Sequence, residues 1–317
     1  MSIIEPRLFY KPFEYQTAFE YYKNQHRAHW LADEVPLASD LNDWKLKLNE
    51  SEKNLIGNIL KSFAQTEVHV NDYWSTKVSI WFPKPEIQAM SRAFADFESI
   101  HAEAYARLNE ELGLDNFAAF LEDEVSKAKI ERLIEVPGET LEERALSLAI
   151  FSAFTEGVNL FSSFAVLMSF QLRNLMKGTG QIVAWSVRDE SLHSQAGCWL
   201  FRTLLQEQPS LNTHDLRDKV IEACYLSIQL EFDFIDKAFE MGNIEGLTKE
   251  QLKNFIKERA NQKLIELGYG PIYNDIDPAL LKQIEWFGHL TSGVEHQDFF
   301  ALRPSSYSKS TADWSDL

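Results

Sequence analysis

Two stretches of this chain place a glutamate three residues before a histidine: Glu98 and His101 in FADFESIHAEAY, and Glu190 and His193 in WSVRDESLH. Each helical residue advances about 100°, so a carboxylate and an imidazole at this spacing share a face. Tyr105, four residues past His101, falls on the same stripe, whose other members Phe94, Phe97 and Ala104 are apolar or small. One such pair means little in a chain with 8 histidines and 48 acidic residues. Two become specific beside two lone glutamates in apolar surroundings, Glu67 in LKSFAQTEVHV and Glu156 in LAIFSAFTEGVNLFSSF. Glu156 is the only ionisable residue from Leu146 to Phe170, so its helix is apolar on all sides and must be buried. An isolated carboxylate there costs several kcal/mol, takes up a proton, or meets a cation.

One glutamate from each of two helices, with E-x-x-H from each of two others, is the pattern of a carboxylate-bridged pair of metal ions in a bundle core. Glu67 to Glu98 and Glu156 to Glu190 each span about thirty residues, enough for a helix, a turn and a return to the same level. Four carboxylates repel one another unless two divalent ions offset them, and two neutral imidazoles add donors without charge. Oxygen and nitrogen donors without thiolate suit iron or manganese rather than zinc or an iron–sulfur cluster.

The elements that must position these groups are helices. Glycine and proline are scarce, 13 and 10 of 317 residues, and helical periodicity fills the stretches between them. Long patterns are expected at about 48–81, 87–112, 140–175, 180–207 and 213–241, with shorter ones near 248–267 and 278–290. Ser51 is read as an N-cap, PKP at 83–86 and VPGET at 136–140 as turns, and KGTG at 177–180 as the stop of the third long helix. Long helices, short turns and no strand alternation predict an all-α, ferritin-like bundle. No interior linker divides it, so residues 1–302 are expected to form one domain. The tail RPSSYSKSTADWSDL at 303–317 is polar, Ser-rich and aperiodic, with aromatics at Tyr307 and Trp314. A frayed end and a docking peptide suit that composition equally.

A net charge of −17 argues against a nucleic-acid partner. No apolar run approaches a membrane span of about 20 residues, and the N-terminal stretch MSIIEPRLFYKPFEYQ lacks a secretory signal. Two cysteines, Cys198 and Cys224, form no disulfide framework, which fits a reducing cytoplasm.

FESIHAEAY, FTEGVNLFSSF and VRDESLH, with HWLADEV near the N-terminus and FFALRPSSY near the C-terminus, resemble the small (β) subunit of class I ribonucleotide reductase, in order and spacing along nearly the whole chain. The resemblance implies that Glu67, Glu98, His101, Glu156, Glu190 and His193 are metal ligands and that Tyr105 lies where the radical-bearing tyrosine sits. It implies an electron path from His101 through Asp189 to Trp30, and a mobile Tyr307 that hands the oxidising equivalent to the large (α) subunit. Residues through Trp314 to Leu317 would dock there, which turns the tail toward docking. The implied function is to generate and hold an oxidising equivalent for reduction of ribonucleoside di- or triphosphates, as a homodimer served by a flavoprotein or other activating partner. Glu67 departs from conventional tyrosyl-radical members, which have aspartate there. Manganese/iron members carry glutamate but lack the tyrosine, and a dimanganese group has lysine where this chain has Asn71. The mixed pattern leans toward manganese and leaves a diiron centre with a Tyr105 radical open. Ser186, one turn before Glu190, could bond Tyr105 or admit water, and Leu160 and Phe164 are expected to line the pocket around it. The competing functions are a ferritin-like oxygenase acting on a small substrate, and a metal-storage protein.

Overall fold

The computed structural model describes residues 2–114, 116–118, 138–242 and 244–292. About 77% of it is helical, and no strand occurs among the described residues. The helices are α1 (Gln16–Arg27), α2 (Ala38–Leu46), α3 (Glu50–Asp72), α4 (Pro85–Glu111), α5 (Leu141–Leu148), α6 (Lys177–Glu207), α7 (His214–Ala238), α8 (Lys249–Leu267), α9 (Pro278–Gln283) and α10 (Glu285–Ser292). Two of them widen: α3 continues through a π-helical stretch, Tyr73–Val78, to a last turn at Ser79–Trp81, and α5 through a π-helical stretch, Ala149–Asn159, to Phe161–Ser169. The expected tail at 303–317, with Tyr307 and Trp314, and the start of the VPGET turn lie outside the described residues.

Helices α3 to α8 occupy the expected patterns, and the stretch expected at 278–290 is two short helices broken at Ile284. The sequence patterns did not include α1 and α2; α1 fully buries only Ala18 and Gln25 and packs Tyr21 and Tyr22 on the core, and α2 buries only Asp40 and Asp43, with no apolar stripe. The cap of α3 is Asn49 rather than Ser51: its side chain accepts from the Glu52 N–H at 3.0 Å, and Glu52 accepts from the Asn49 N–H at 3.0 Å. That reciprocal box satisfies two N–H groups the helix end would otherwise orphan.

KGTG begins α6 rather than stopping α5. Asp40 reaches from α2 to accept the Gly178 N–H at 2.9 Å and the Thr179 N–H at 2.6 Å, placing a carboxylate on the positive end of α6. Met176, at φ 52°, turns the chain into the helix, and its N–H donates to Asp43 at 2.9 Å. Gly178 is required by the close approach of α2's entry, since a Cβ there would lie 2.7 Å from Leu37 and 2.9 Å from the Pro36 carbonyl. This clamp sets the register in which α6 presents Glu190 and His193.

The helix α3 packs along α4, the π stretch of α5 lies against α6 and α8, and α1 runs along α4. Phe63, Phe94, Phe154 and Phe164 are buried where these helices meet, each burial worth about 1.5–3 kcal/mol. By length and composition alone the run Leu141–Arg173 is apolar enough to cross a membrane, which revises the expectation that no segment approaches a span. Its most apolar window is 94% buried inside the bundle. The serines, Asn159 and Glu156 interrupt the apolar run in the sequence but leave it strongly apolar on average.

The N-terminal arm is anchored by charge. Arg7 donates to both oxygens of fully buried Glu86, at 3.2 and 2.6 Å, and Glu86 also accepts the N–H groups of Glu14 and Tyr15. Burial alone would raise the Glu86 pKa, but Arg7 and the backbone donors outweigh it and hold the carboxyl below its ordinary 4.5. A depressed folded pKa contributes stability that is present above the unfolded value and lost as pH falls through the folded one. Glu86→Gln should therefore cost on the order of 3 kcal/mol near neutral pH. In urea unfolding, the gap between variant and parent should shrink as pH falls through and below 4.5.

Candidate metal centre

The middle turns of α3, α4, α5 and α6 meet at one level. Glu67 is 1% exposed, and Glu98, His101, Glu156, Glu190 and His193 are fully buried. One ligand atom from each of Glu67, Glu98, His101 and Glu190 lies within 4.8 Å of the others, and the same holds for Glu98, Glu156, Glu190 and His193. The two sets share Glu98 and Glu190, so the geometry is of two adjoining subsites with two carboxylates in common. All six residues singled out by type and spacing are brought together.

Both imidazoles turn the same nitrogen inward. His101 Nδ1 lies 3.1 Å from Glu98 and 3.2 Å from Glu190, while its Nε2 faces Asp189 Oδ2 at 3.2 Å. Trp30 Nε1 donates to that same oxygen at 2.8 Å, so Asp189 links the tryptophan to the imidazole. His193 Nε2 meets the Gln25 side-chain oxygen Oε1 at 2.9 Å. Such outer partners fix the tautomer and aim the ring.

Most of the inner atoms lack partners. Both oxygens of Glu67, both of Glu190, Glu98 Oε1, Glu156 Oε2 and His193 Nδ1 are buried without a hydrogen bond. His193 Nδ1 and Glu98 Oε1 approach to 2.6 Å without hydrogen-bond alignment, as donors converging on a common point would. Burial first, and the charges of Glu190 and Glu98 next, push the Glu67 and Glu156 pKa values well above the ordinary range. Burial and then Glu98 raise Glu190 to about 7. For Glu98, burial would raise the pKa, but the two histidines outweigh it and hold it at about 2. Without cations the cluster keeps protons, and cations would displace them. Oxygen-rich donors with two imidazoles, dry and otherwise unsatisfied, fit a dinuclear metal site.

Tyr105 is fully buried, and its hydroxyl donates to Ser186 at 2.8 Å, the first of the two alternatives for that serine. Burial and then the charge of Glu67 raise its pKa well above 10. Its ring lies 4.9 Å from Phe63, which in turn lies 5.2 Å from Phe164. Leu160 lines a narrow cavity of about 20 Å³, room for one water, beside Phe63, Thr66 and Thr155. Asn71 turns away to bind Ala95 and Ser99 on α4, at 2.5 and 2.9 Å.

Two contributors escaped the sequence. Gln25 sits on a helix with no legible period. Trp74, whose indole N–H donates to Glu156 Oε1 at 2.5 Å, lies seven residues past Glu67, two turns along the same face, and that spacing was a usable signal.

Residues 7–278 match the family described as "Ribonucleotide reductase, small chain". The chain belongs to the ribonucleotide reductase small-chain family. Among relatives, the "Probable ribonucleoside-diphosphate reductase small subunit 376L" of Invertebrate iridescent virus 6 is 32% identical, covering 100% of this chain and 99% of that protein. The ribonucleoside-diphosphate reductase subunit beta of Chlamydia pneumoniae is 25% identical over 93% of this chain and 88% of its own length. The ribonucleotide reductase R2 subunit from Clostridium botulinum superposes with a TM-score of 0.82 at 18% identity, covering 92% of this chain and 94% of that one. That likeness speaks to the ferritin-like fold alone.

The shared carboxylates generate a stoichiometric prediction for this small chain. Glu67→Ala or Glu156→Ala should each lose one of two bound ions, because each touches one subsite. Glu98→Ala or Glu190→Ala should lose both. Metal analysis of gel-filtered protein loaded with manganese(II) or iron(II) reads the count, and equal losses in all four variants would contradict the sharing.

Proposed function

We propose that this chain is the radical-generating small subunit of a class I ribonucleoside-diphosphate reductase, with residues 1–302 as one domain and the tail 303–317 docking the large subunit. Family membership supports the activity, and the observation that carries the site assignment is the pair of buried clusters sharing Glu98 and Glu190. In this reading Glu67, Glu98, His101, Glu156, Glu190 and His193 hold two divalent ions, which when bound supply oxygen activation and one-electron chemistry. The subunit works as a dimer with the large subunit, in the cytoplasm, and a flavoprotein or similar partner delivers the oxidant.

The residues then divide the work. The bundle excludes water, and His101, Asp189 and Trp30 form an unbroken contact chain along which an oxidising equivalent would leave the cluster as an electron passes inward. His101 stacks 5.8 Å from Trp30, and Trp30 packs 5.1 Å from Trp185. Tyr307 completes the transfer to the large subunit. Fully buried Asp189 stays ionised: burial would raise its pKa, but His101 and then Arg188 and Trp30 outweigh it. It can therefore accept the proton released when Trp30 is oxidised.

The metals include manganese, and the oxidising equivalent resides at the metal pair rather than on Tyr105. Oxidising a phenol requires somewhere for its proton to go, and the acceptor of Tyr105 is the Ser186 hydroxyl, a far weaker base than a carboxylate. Glu67 in place of aspartate points the same way.

Tyr105→Phe should keep turnover with the large subunit within about threefold of the parent, whereas Trp30→Phe should lower it at least about a hundredfold. Deleting residues 303–317 should abolish turnover and leave both metals bound. Electron paramagnetic resonance on protein loaded with iron, manganese or both reads the metals, and a phenoxyl signal with loss of activity in Tyr105→Phe would place the equivalent on the phenol instead.

A further inference from the structure

The cluster has two tryptophans, placed alike. Trp30 donates its indole N–H to Asp189 and stacks 5.8 Å from His101, on the Glu67 side. Trp74 donates its indole N–H to Glu156 and sits 6.1 Å from His193, on the other side. The first belongs to the path toward the large subunit. The second is unassigned.

From Trp74 an aromatic series leads outward. Its ring lies 5.7 Å from Tyr73, and Tyr73 lies 6.0 Å from Trp81, a residue that is 8% exposed. Arg144 covers the outer indole at 6.0 Å, and Gly138 lies so close that a Cβ there would reach within 2.0 Å of it. All three rings belong to the π-widened end of α3. Tyr73 stacks on Phe151 at 3.7 Å, and its buried hydroxyl, flanked by Ser147 and Ser152, meets no aligned hydrogen-bond partner. A tyrosine kept only for packing normally secures that bond. The indole bond orients Glu156, as an outer partner would, but neither that role nor packing accounts for an aromatic series that continues outward to Trp81.

We propose that Trp74, Tyr73 and Trp81 form a second electron conduit, joining the Glu156–His193 subsite to the surface and admitting single electrons from an outer-sphere donor such as a reduced flavin or a transition-metal complex. The proposal rests on the dimetal reading above. The donor loses one electron at Trp81, the electron crosses the Tyr73 ring to Trp74, and the metal pair gains it. The Tyr73 phenol keeps its proton and bridges the two indoles, so no bond changes overall. Trp30 serves exchange with the large subunit, and Trp74 serves exchange with a reductant when that subunit is absent.

The test uses the full chain, loaded with metal, oxidised and freed of the large subunit. Hexaammineruthenium(II) is added and the loss of the oxidised-metal absorbance and resonance signals is timed. Trp81→Phe should slow that loss by about tenfold or more, and Trp81→Tyr should restore most of the rate. Metal content is measured in the same samples: two ions with an unslowed Trp81→Phe overturns the conduit, while absence of two ions in the parent overturns the dimetal reading. In the unsubstituted chain, peptide mapping after repeated loading in air should find oxygen-addition products concentrated at Trp81. Their even spread over the tryptophans, or their concentration at Trp30, would also overturn the conduit.

Discussion

Four carboxylates held in a dry core repel one another, and the structure is arranged around that cost. Glu67, Glu98, Glu156 and Glu190 are buried with most of their oxygens unbonded, in an interior whose other groups are largely aromatic and aliphatic. Protons relieve the repulsion only partly, as the raised pKa values of Glu67 and Glu156 beside the depressed Glu98 indicate. Two divalent ions would relieve it fully, and inward imidazole nitrogens that face carboxylates rather than donors fit such a pair. A core designed only to fold would replace these acids with hydrocarbon.

Because the clustered side chains come from four helices, the site requires each helix to hold its register to within a fraction of a turn. The α6 register is set at its first turn by Asp40, far along the helix from Glu190. At Gly197 a Cβ would fall 2.0 Å from Ser152, so α6 and the π stretch of α5 approach closely just past the ligands. The π winding places Glu156 within its widened turns, and Arg259 from α8 donates to the adjoining Gly157 carbonyl at 2.9 Å. Widened turns of this kind recur at functional sites, where they re-aim a side chain at the expense of regular bonding.

The ligand set was legible because its chemistry contradicts its surroundings: a lone acid in an apolar helix, and paired acid and imidazole at helical spacing. The long helices were legible for the complementary reason, an uninterrupted apolar period. What the sequence concealed depends on contacts between distant segments. Asn49 and Ser51 are both plausible caps, and only the reciprocal bond with Glu52 separates them. The start of α6 is decided by a carboxylate more than a hundred residues upstream, so KGTG could not declare itself. Gln25 reaches His193 from a helix that buries almost nothing else.

Placing the charged cluster so deep has a further effect, felt before the native state exists. The helix that contributes Glu156 is apolar on every side; α3 and its extension cover one side of it, and the rest is buried only when α6, α7 and α8 have closed over it. These three lie downstream, so during synthesis this segment leaves the ribosome well ahead of the partners that will cover it. Until they arrive it is a sticky surface, open to chaperones and to association with other nascent chains. The feature that keeps the finished centre dry thus makes the newborn polypeptide vulnerable, and the speed of closure governs the yield of usable protein.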